Sequence, residues 1–377
     1  MKILFTGGGT GGHFYPIIAV AEAIRERAKE RRILPPKLYY MAPSKYNPRA
    51  LFDNDIDFVA IPAGKMRRYF SVLNITDVFK TAIGTLTAII RMFSIYPDVV
   101  FGKGGYASFP ALVAAKLLRI PVVIHESDSR PGKVNSWAGK FAQKIALSYS
   151  DAAKYFPKHP DRIAFTGNPI RSEIVQPLSN GAYEFLKLEQ NTPVVLVLGG
   201  SQGAQAINDI IMEALPELLN KYQIIHQTGK KNIVEAKETA SVILKEHAYA
   251  YRYHPMDYLN DLTLRMSTGV ANVIVTRAGS TIFEIAAWGI PSIIIPLPHS
   301  VSHDQTDNAF AYARTGAASV IEENNLSSHI LIEEIDRICS SAVLTATMKE
   351  KAKAFARLDS AKLIADGILD IALQHEK

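Results

Sequence analysis

A chain of 377 residues with 48% hydrophobic content exceeds one ordinary core, since domains run roughly 100–200 residues, and it is too apolar to be a disordered polymer. Its single cysteine, Cys339, excludes an intramolecular disulfide and fits a reducing compartment. The net charge of +6 hides an asymmetry: residues 1–165 carry 24 Lys/Arg against 12 Asp/Glu, and the remainder 18 against 24. The basic half would suit nucleic acid or an anionic membrane surface, and the acidic half a different partner.

Only Ile3, Leu4 and Phe5 separate Met1-Lys2 from a glycine loop, which predicts no secretory apolar segment. Strands are expected at Lys2–Phe5, Leu38–Met41, Phe58–Ile61, Val99–Phe101, Val122–His125, Lys144–Leu147 and Ile163–Phe165. Apolar residues at helical spacing lie between several of them, as in Ile17–Ala28 and Pro110–Leu118. The longest candidate membrane span, Thr81–Ile90, is bounded by Lys80 and Arg91 and falls short of the roughly 20 apolar residues a crossing helix needs. After turn chemistry at Thr166–Pro169 the scheme repeats, with strands at Val194–Leu198, Gln223–Gln227, Ala248–Tyr253, Val273–Val275, Ser292–Ile295 and Ser319–Ile321. The segment Thr347–Gln374 reads as one or two amphipathic helices. Alternating strands and helices predict an α/β chain of two doubly wound, Rossmann-like parallel-sheet domains facing across a cleft. The expected division is 1–167 with about 350–377, and 168–349.

Each half carries a glycine loop between a strand and a helix: Gly7–His13 in the first, Gly199–Gly203 in the second. Such loops let a ligand approach the backbone, and the helix N-terminus offers unpaired N–H groups to anions. Gly7-x-Gly9-x-x-Gly12 matches the dinucleotide fingerprint, but that fingerprint also wants an acidic residue ending the second strand. Here that strand ends Tyr40-Met41-Ala42-Pro43. A third cluster, Gly102–Tyr106, could hold phosphate through Lys103 and bare amides, or be a flexible turn.

Taken together, several stretches resemble the MurG glycosyltransferases of peptidoglycan synthesis. They are Gly8–His13, Gly104-Gly105-Tyr106, His125-Glu126 with Gly132 and Asn135, Gly167–Arg171, Gly199–Ala204, His226–Lys230, Arg277–Thr281 with Glu284, and Gln305 with Asn308. The resemblance implies a GT-B fold and transfer of N-acetylglucosamine from UDP-GlcNAc to lipid I, giving lipid II. It places the acceptor and membrane side in the first domain and the UDP-sugar in the second, with no cofactor, no metal and no nucleic acid.

By position, the resemblance assigns substrate contacts to Thr10, Gly11, Gly12, Gly279, Ser280 and Thr281. Glu284 would bind the ribose hydroxyls, Arg171 and Ser201 the diphosphate, Met256 the uracil through its backbone, and Gln305 and Asn308 the GlcNAc. Gly104, Gly105, Tyr106 and His125 fall on the acceptor side. Asp128 replaces the family's Asn at a sugar contact, Arg277–Glu284 is one residue short, and Asp304-Gln305 replaces a Gln-Gln pair. These departures bear on donor choice.

The expected chemistry is attack by the acceptor's C4 hydroxyl on the anomeric carbon with inversion, which needs a base and positive potential at the leaving diphosphate. His13 is the first base candidate, since imidazole titrates near neutrality, and Glu126, a carboxylate at a strand end, is the second. Asp53-Asn54-Asp55 and Asp55-Ile56-Asp57 imitate a metal-binding Asp-x-Asp but precede a strand, as a solvated turn would. Basic and apolar residues mix from Lys65 through Met66, Arg67, Arg68 and Phe70 to Arg91, which suits peripheral binding at the cytoplasmic face of an anionic membrane or a core helix with basic ends. Competing functions are another GT-B UDP-sugar transferase with a glycolipid acceptor, a non-catalytic nucleotide-sugar binder, and a nonhydrolysing sugar epimerase.

Overall fold

Side chains alternate along a strand, so a sheet covered on both faces needs apolar residues at every position. Lys2–Thr6 (β1) shows this: Ile3 and Phe5 enter one apolar cluster and Leu4 the other. The computed structural model describes residues 1–65, 73–158, 160–200, 203–299 and 303–375. It divides into two units, Met1–Arg171 with Arg357–Lys377, and Ser172–Ala356.

In the first unit Lys37–Ala42 (β2), Ile56–Ala60 (β3), Val99–Gly102 (β4), Val122–Glu126 (β5), Lys144–Leu147 (β6) and Ile163–Phe165 (β7) join β1 in one sheet. The order is β3-β2-β1-β4-β5-β6-β7, parallel throughout. The strand order reverses between β1 and β4, where Thr6 pairs with Gly102. A doubly wound sheet binds ligands at that switch point, beyond the carboxyl ends of its strands. Both glycine clusters of this half, Gly7–Gly12 and Gly102–Gly105, emerge there. The helix Ser360–His375 closes the unit, packing Ile364, Ile368 and Leu369 into the cluster of Ile3, Phe5 and Ile17. Its Asp366 pairs with Arg27 and Arg31 at 2.7 and 2.6 Å.

The second unit repeats the plan with Val194–Leu198 (β8), Gln223–Gln227 (β9), Tyr253–Met256 (β10), Ala271–Thr276 (β11), Ser292–Ile294 (β12) and Ala318–Val320 (β13). Its parallel sheet runs β10-β9-β8-β11-β12-β13, with the reversal between β8 and β11.

Three expectations need correction. The strand expected at Ala248–Tyr253 lies instead at Tyr253–Met256, because Ala250–Arg252 forms a 3-10 turn whose Arg252 guanidinium lies 4.0 Å from the centre of the Tyr249 ring. The ten-residue apolar run at Thr81–Ile90 is part of a helix over Leu73–Ile95, of which 21 residues are long and apolar enough to cross a membrane by length and composition. The unit boundaries fall at 171 and 356 rather than 167 and about 350. Arg171 is buried, its guanidinium 4.1 Å from the centre of the Tyr15 ring, and this seats the end of the segment in the first unit. Phe355 stacks on Phe283 at 5.7 Å, which keeps the helix Ala342–Phe355 in the second.

Candidate active site

The chain leaves β1 through Gly7, Gly8 and Gly9 and enters the helix Gly11–Glu30. Gly8 and Gly9 sit at φ +129° and +91°, in the region that favours glycine, and the aromatic neighbours leave no space for a side chain. A Cβ at Gly8 would meet the Tyr40 hydroxyl at 2.7 Å, and one at Gly9 the Tyr106 ring at 2.9 Å. The Tyr40 hydroxyl donates to the Gly7 carbonyl at 2.8 Å and fixes the start of the loop.

His13 is half-buried in the first turn of that helix, its Nδ1 2.9 Å from the Thr10 hydroxyl. Its Nε2 side faces the turn after β4, since a Cβ on Gly105 would lie 3.6 Å from Nε2. Thus Thr10, Gly11, Gly12, His13, Gly104, Gly105 and Tyr106 gather at one sheet edge. Burial, reinforced by the Lys103 ammonium, pushes His13 down to about 4, so the imidazole is neutral at physiological pH.

Lys103 is fully buried, and its Nζ has no hydrogen-bond partner among the described residues. Burial pushes the ammonium below its usual range, against the attraction of Glu126 and then Asp128. Glu126 is buried too, and is driven up by burial and by Asp128 despite its hydrogen bonds and the lysine. Its carboxylate accepts the Asp128 N–H at 3.0 Å, the Gly132 N–H at 3.1 Å and the Asn135 Nδ2–H at 3.0 Å. Two donors from the loop and one from the short helix Lys133–Ala138 make Glu126 the clasp of the segment after β5.

His125, expected on the acceptor side, is fully buried: its Nε2 lies 2.9 Å from the Gly167 carbonyl and 3.2 Å from the Ser148 hydroxyl. A carbonyl only accepts, so Nε2 carries the proton and the ring supports the Gly167 turn. The Asp-rich turn is paired rather than clustered: Arg25 meets Asp55, Lys37 meets Asp57 and Arg49 meets Asp53.

In the second unit the turn after β8 holds Gly200 and Gly203 at φ +76° and +79°; Ser201 lies outside the described residues. The Met256 carbonyl, ending β10, accepts the Thr228 N–H at 2.9 Å. Beyond β11, Gly279 has open space where a side chain would stand, and Ser280 precedes the helix Thr281–Trp288, with Glu284 half-buried in its first turn. Gln305 accepts the Leu297 N–H at 3.2 Å. Asn308, expected to touch sugar, is buried and donates to the Ala278 carbonyl at 3.3 Å, which braces the same loop from behind. Sequence reasoning missed the buried state of Lys103 and the aromatic ring Tyr15, because a lysine among glycines reads as solvent-facing.

Residues 3–147 match the glycosyltransferase family 28 N-terminal domain and residues 194–364 its C-terminal domain. A UDP-N-acetylglucosamine--N-acetylmuramyl-(pentapeptide) pyrophosphoryl-undecaprenol N-acetylglucosamine transferase from Bacillus thuringiensis is 35% identical over 93% of this chain and 96% of its own length. The crystal structure of MurG from Acinetobacter baumannii superposes with a TM-score of 0.71 at 24% identity, covering 98% of this chain and 99% of that one. A putative UDP-N-acetylglucosamine 2-epimerase from Listeria monocytogenes gives 0.74 at 16% identity, over 99% and 97%. These two likenesses show the fold alone.

Proposed function

The chain belongs to the MurG family of glycosyltransferases, and from that premise we propose that it transfers N-acetylglucosamine from UDP-GlcNAc to lipid I, forming lipid II. The observation that carries this reading is the pair of switch points, each with a glycine turn opening a helix and each supplied with the chemistry one substrate needs. The first unit presents the acceptor to His13; the second binds the UDP-sugar through Met256, Gly279, Ser280, Thr281, Glu284 and Gln305.

His13 is the proposed base. The Thr10 hydroxyl can accept from Nδ1–H, and in that tautomer Nε2 keeps its lone pair for the proton of the acceptor's C4 hydroxyl. That oxygen then attacks the anomeric carbon, the bond to the diphosphate breaks and UDP leaves with inversion. Glu126 is the weaker candidate, because its oxygens already serve three N–H groups. Arg171, a planar fork suited to phosphate oxygens, and Ser201 are proposed for the diphosphate, and Asp128 for a sugar hydroxyl.

A peripheral site at the cytoplasmic membrane face is part of the proposal. Along the helix Leu73–Ile95, Ile75, Val78, Phe79, Ile83, Leu86, Ile90 and Phe93 form one stripe, each at least 58% exposed, while Ala88 and Met92 are buried. A helix with one face seated in its own domain lies on a membrane rather than crossing it. Lys65, Lys80 and Arg91 add basic groups; Met66–Val72 lie outside the described residues.

The test is UDP release from UDP-GlcNAc with and without a lipid I analogue, in competition with UDP-galactose. Acceptor-dependent release that UDP-galactose cannot replace is expected. Release without acceptor, or equal use of UDP-galactose, would overturn the reading.

A further inference from the structure

A directional chain of hydrogen bonds runs through the core of the second unit. His226, fully buried in β9, has Nε2 3.0 Å from Asn208 Oδ1 and Nδ1 2.9 Å from the Tyr253 hydroxyl. Asn208 Nδ2 donates to the Thr228 carbonyl at 3.0 Å, so its Oδ1 is the acceptor and His226 Nε2 carries the proton. Nδ1 is therefore bare and accepts from the Tyr253 hydroxyl. Burial pushes this histidine down to about 3, which keeps it in that single neutral form.

The hydrogen-bond chain ends at the carboxyl edge of the sheet, at Thr228 just after β9, where the turn after β8 and the end of β10 also meet. The Thr228 carbonyl also accepts from Asn232 Nδ2 at 3.2 Å, and a Cβ on Gly203 would stand 2.5 Å from that oxygen. The Thr228 N–H and hydroxyl both donate to the Met256 carbonyl, at 2.9 and 3.2 Å. Core packing alone does not call for this arrangement: an apolar residue at position 226 would avoid the desolvation that every buried polar group costs. What the polar chain adds is a fixed direction for the Thr228 carbonyl.

We propose that His226 is a positioning residue for the nucleotide donor: acting through Asn208, it fixes the Thr228 carbonyl, on which the Gly203 turn is seated, while the N–H and hydroxyl of the same residue hold the Met256 end of β10. This rests on the reading that the second unit binds the UDP-sugar.

The experiment compares His226→Phe, His226→Gln and Asn208→Asp with the wild type, using UDP and CDP as calorimetric ligands and UDP release for KM and kcat. Asn208→Asp, read at a pH where the carboxyl is ionised, keeps the bond from His226 but cannot donate to Thr228, so it breaks one link without changing shape and decides the matter if the phenylalanine variant fails to fold. His226→Phe and Asn208→Asp are expected to raise the donor KM and the UDP Kd about tenfold, since each breaks the link from His226 to Thr228, and to shrink the UDP-over-CDP preference, with kcat at saturating donor within about twofold. His226→Gln should recover most of the affinity. Lowered melting temperature with unchanged UDP affinity and unchanged preference would make the chain merely structural and overturn the proposal. Wild-type protein that does not bind UDP would instead remove the donor reading, and this inference with it.

Discussion

The guanidinium carbon of Arg171 lies 4.1 Å from the centre of the Tyr15 ring, two residues after His13 on the same helix. A guanidinium over an aromatic face is held by the ring quadrupole and by stacking, and a lysine ammonium cannot reproduce the planar contact. Arg171→Ala is expected to raise the donor KM about tenfold, and Arg171→Lys to recover only part of that; Tyr15→Leu should cost about two- to tenfold. Initial-rate kinetics over a UDP-GlcNAc series checks this, and full recovery by lysine would contradict it.

His13→Ala should lower kcat about 100- to 10,000-fold with little change in UDP affinity. The base must be neutral to accept a proton. Because His13 is held down to about 4, its acid limb in kcat/KM belongs near pH 4 rather than 6.5. Lys103→Met removes the cation that helps to depress it and should move the limb upward, toward but not to 6.5, since burial is the larger cause. A limb at 6.5 in the wild type would rule out this assignment.

Glu126→Gln tests whether the carboxylate is a clasp. An amide supplies one acceptor oxygen in place of two, so at least one of the Asp128, Gly132 and Asn135 donors loses its partner. A loss of about 1–3 kcal/mol in unfolding free energy is expected, read by urea titration. An unchanged stability with abolished turnover would return Glu126 to the role of base.

Acid should destabilise the protein before it protonates His13. Unfolded histidines titrate at about 6.5. In the fold His13 binds its proton only near 4 and His226 near 3, and His125 is also held well below its usual value. The unfolded chain therefore holds more protons across pH 4–6.5, and stability falls as pH drops through that window. Glu126, driven up by burial, opposes this with one proton against three. Melting temperatures that rise between pH 7 and 5 would contradict the sign.

Phe79→Glu with Ile83→Glu should abolish pelleting with vesicles containing anionic lipid, while UDP release with a soluble acceptor analogue stays within about twofold. Both side chains are exposed, at 66% and 58%, so neither change disturbs packing. Equal pelleting would remove the membrane role of this stripe.

The doubly wound sheets were legible because β1, β4 and β8 are short apolar runs ending in turn residues, the form a strand buried on both faces takes. β10 was not. The alternation of Tyr249, Tyr251 and Tyr253 imitates a strand, whereas the real one contains Pro255, which is tolerated because β10 is a sheet edge. The length of the helix Leu73–Ile95 was hidden by Lys80 and Arg91, read as its limits although they lie on its surface. At the site, His13 and the glycine turns could be placed by motif, but the commitments of Glu126, His125 and Asn308 could not. Each depends on a partner brought in by the fold, and no spacing along the chain announces which oxygen or carbonyl a buried group will meet.

The helix Ser360–His375 gives this protein an order of assembly. On the ribosome, residues 172–356 emerge whole and can collapse while the amino-terminal unit still waits for its last partner. Until that helix arrives, the apolar cluster of Ile3, Phe5 and Ile24 lacks Ile364, Ile368 and Leu369, and Arg27 and Arg31 lack Asp366. Nascent chains stalled before residue 357 should therefore recruit chaperones through their earliest-made half, and the half made later should be the first to resist protease.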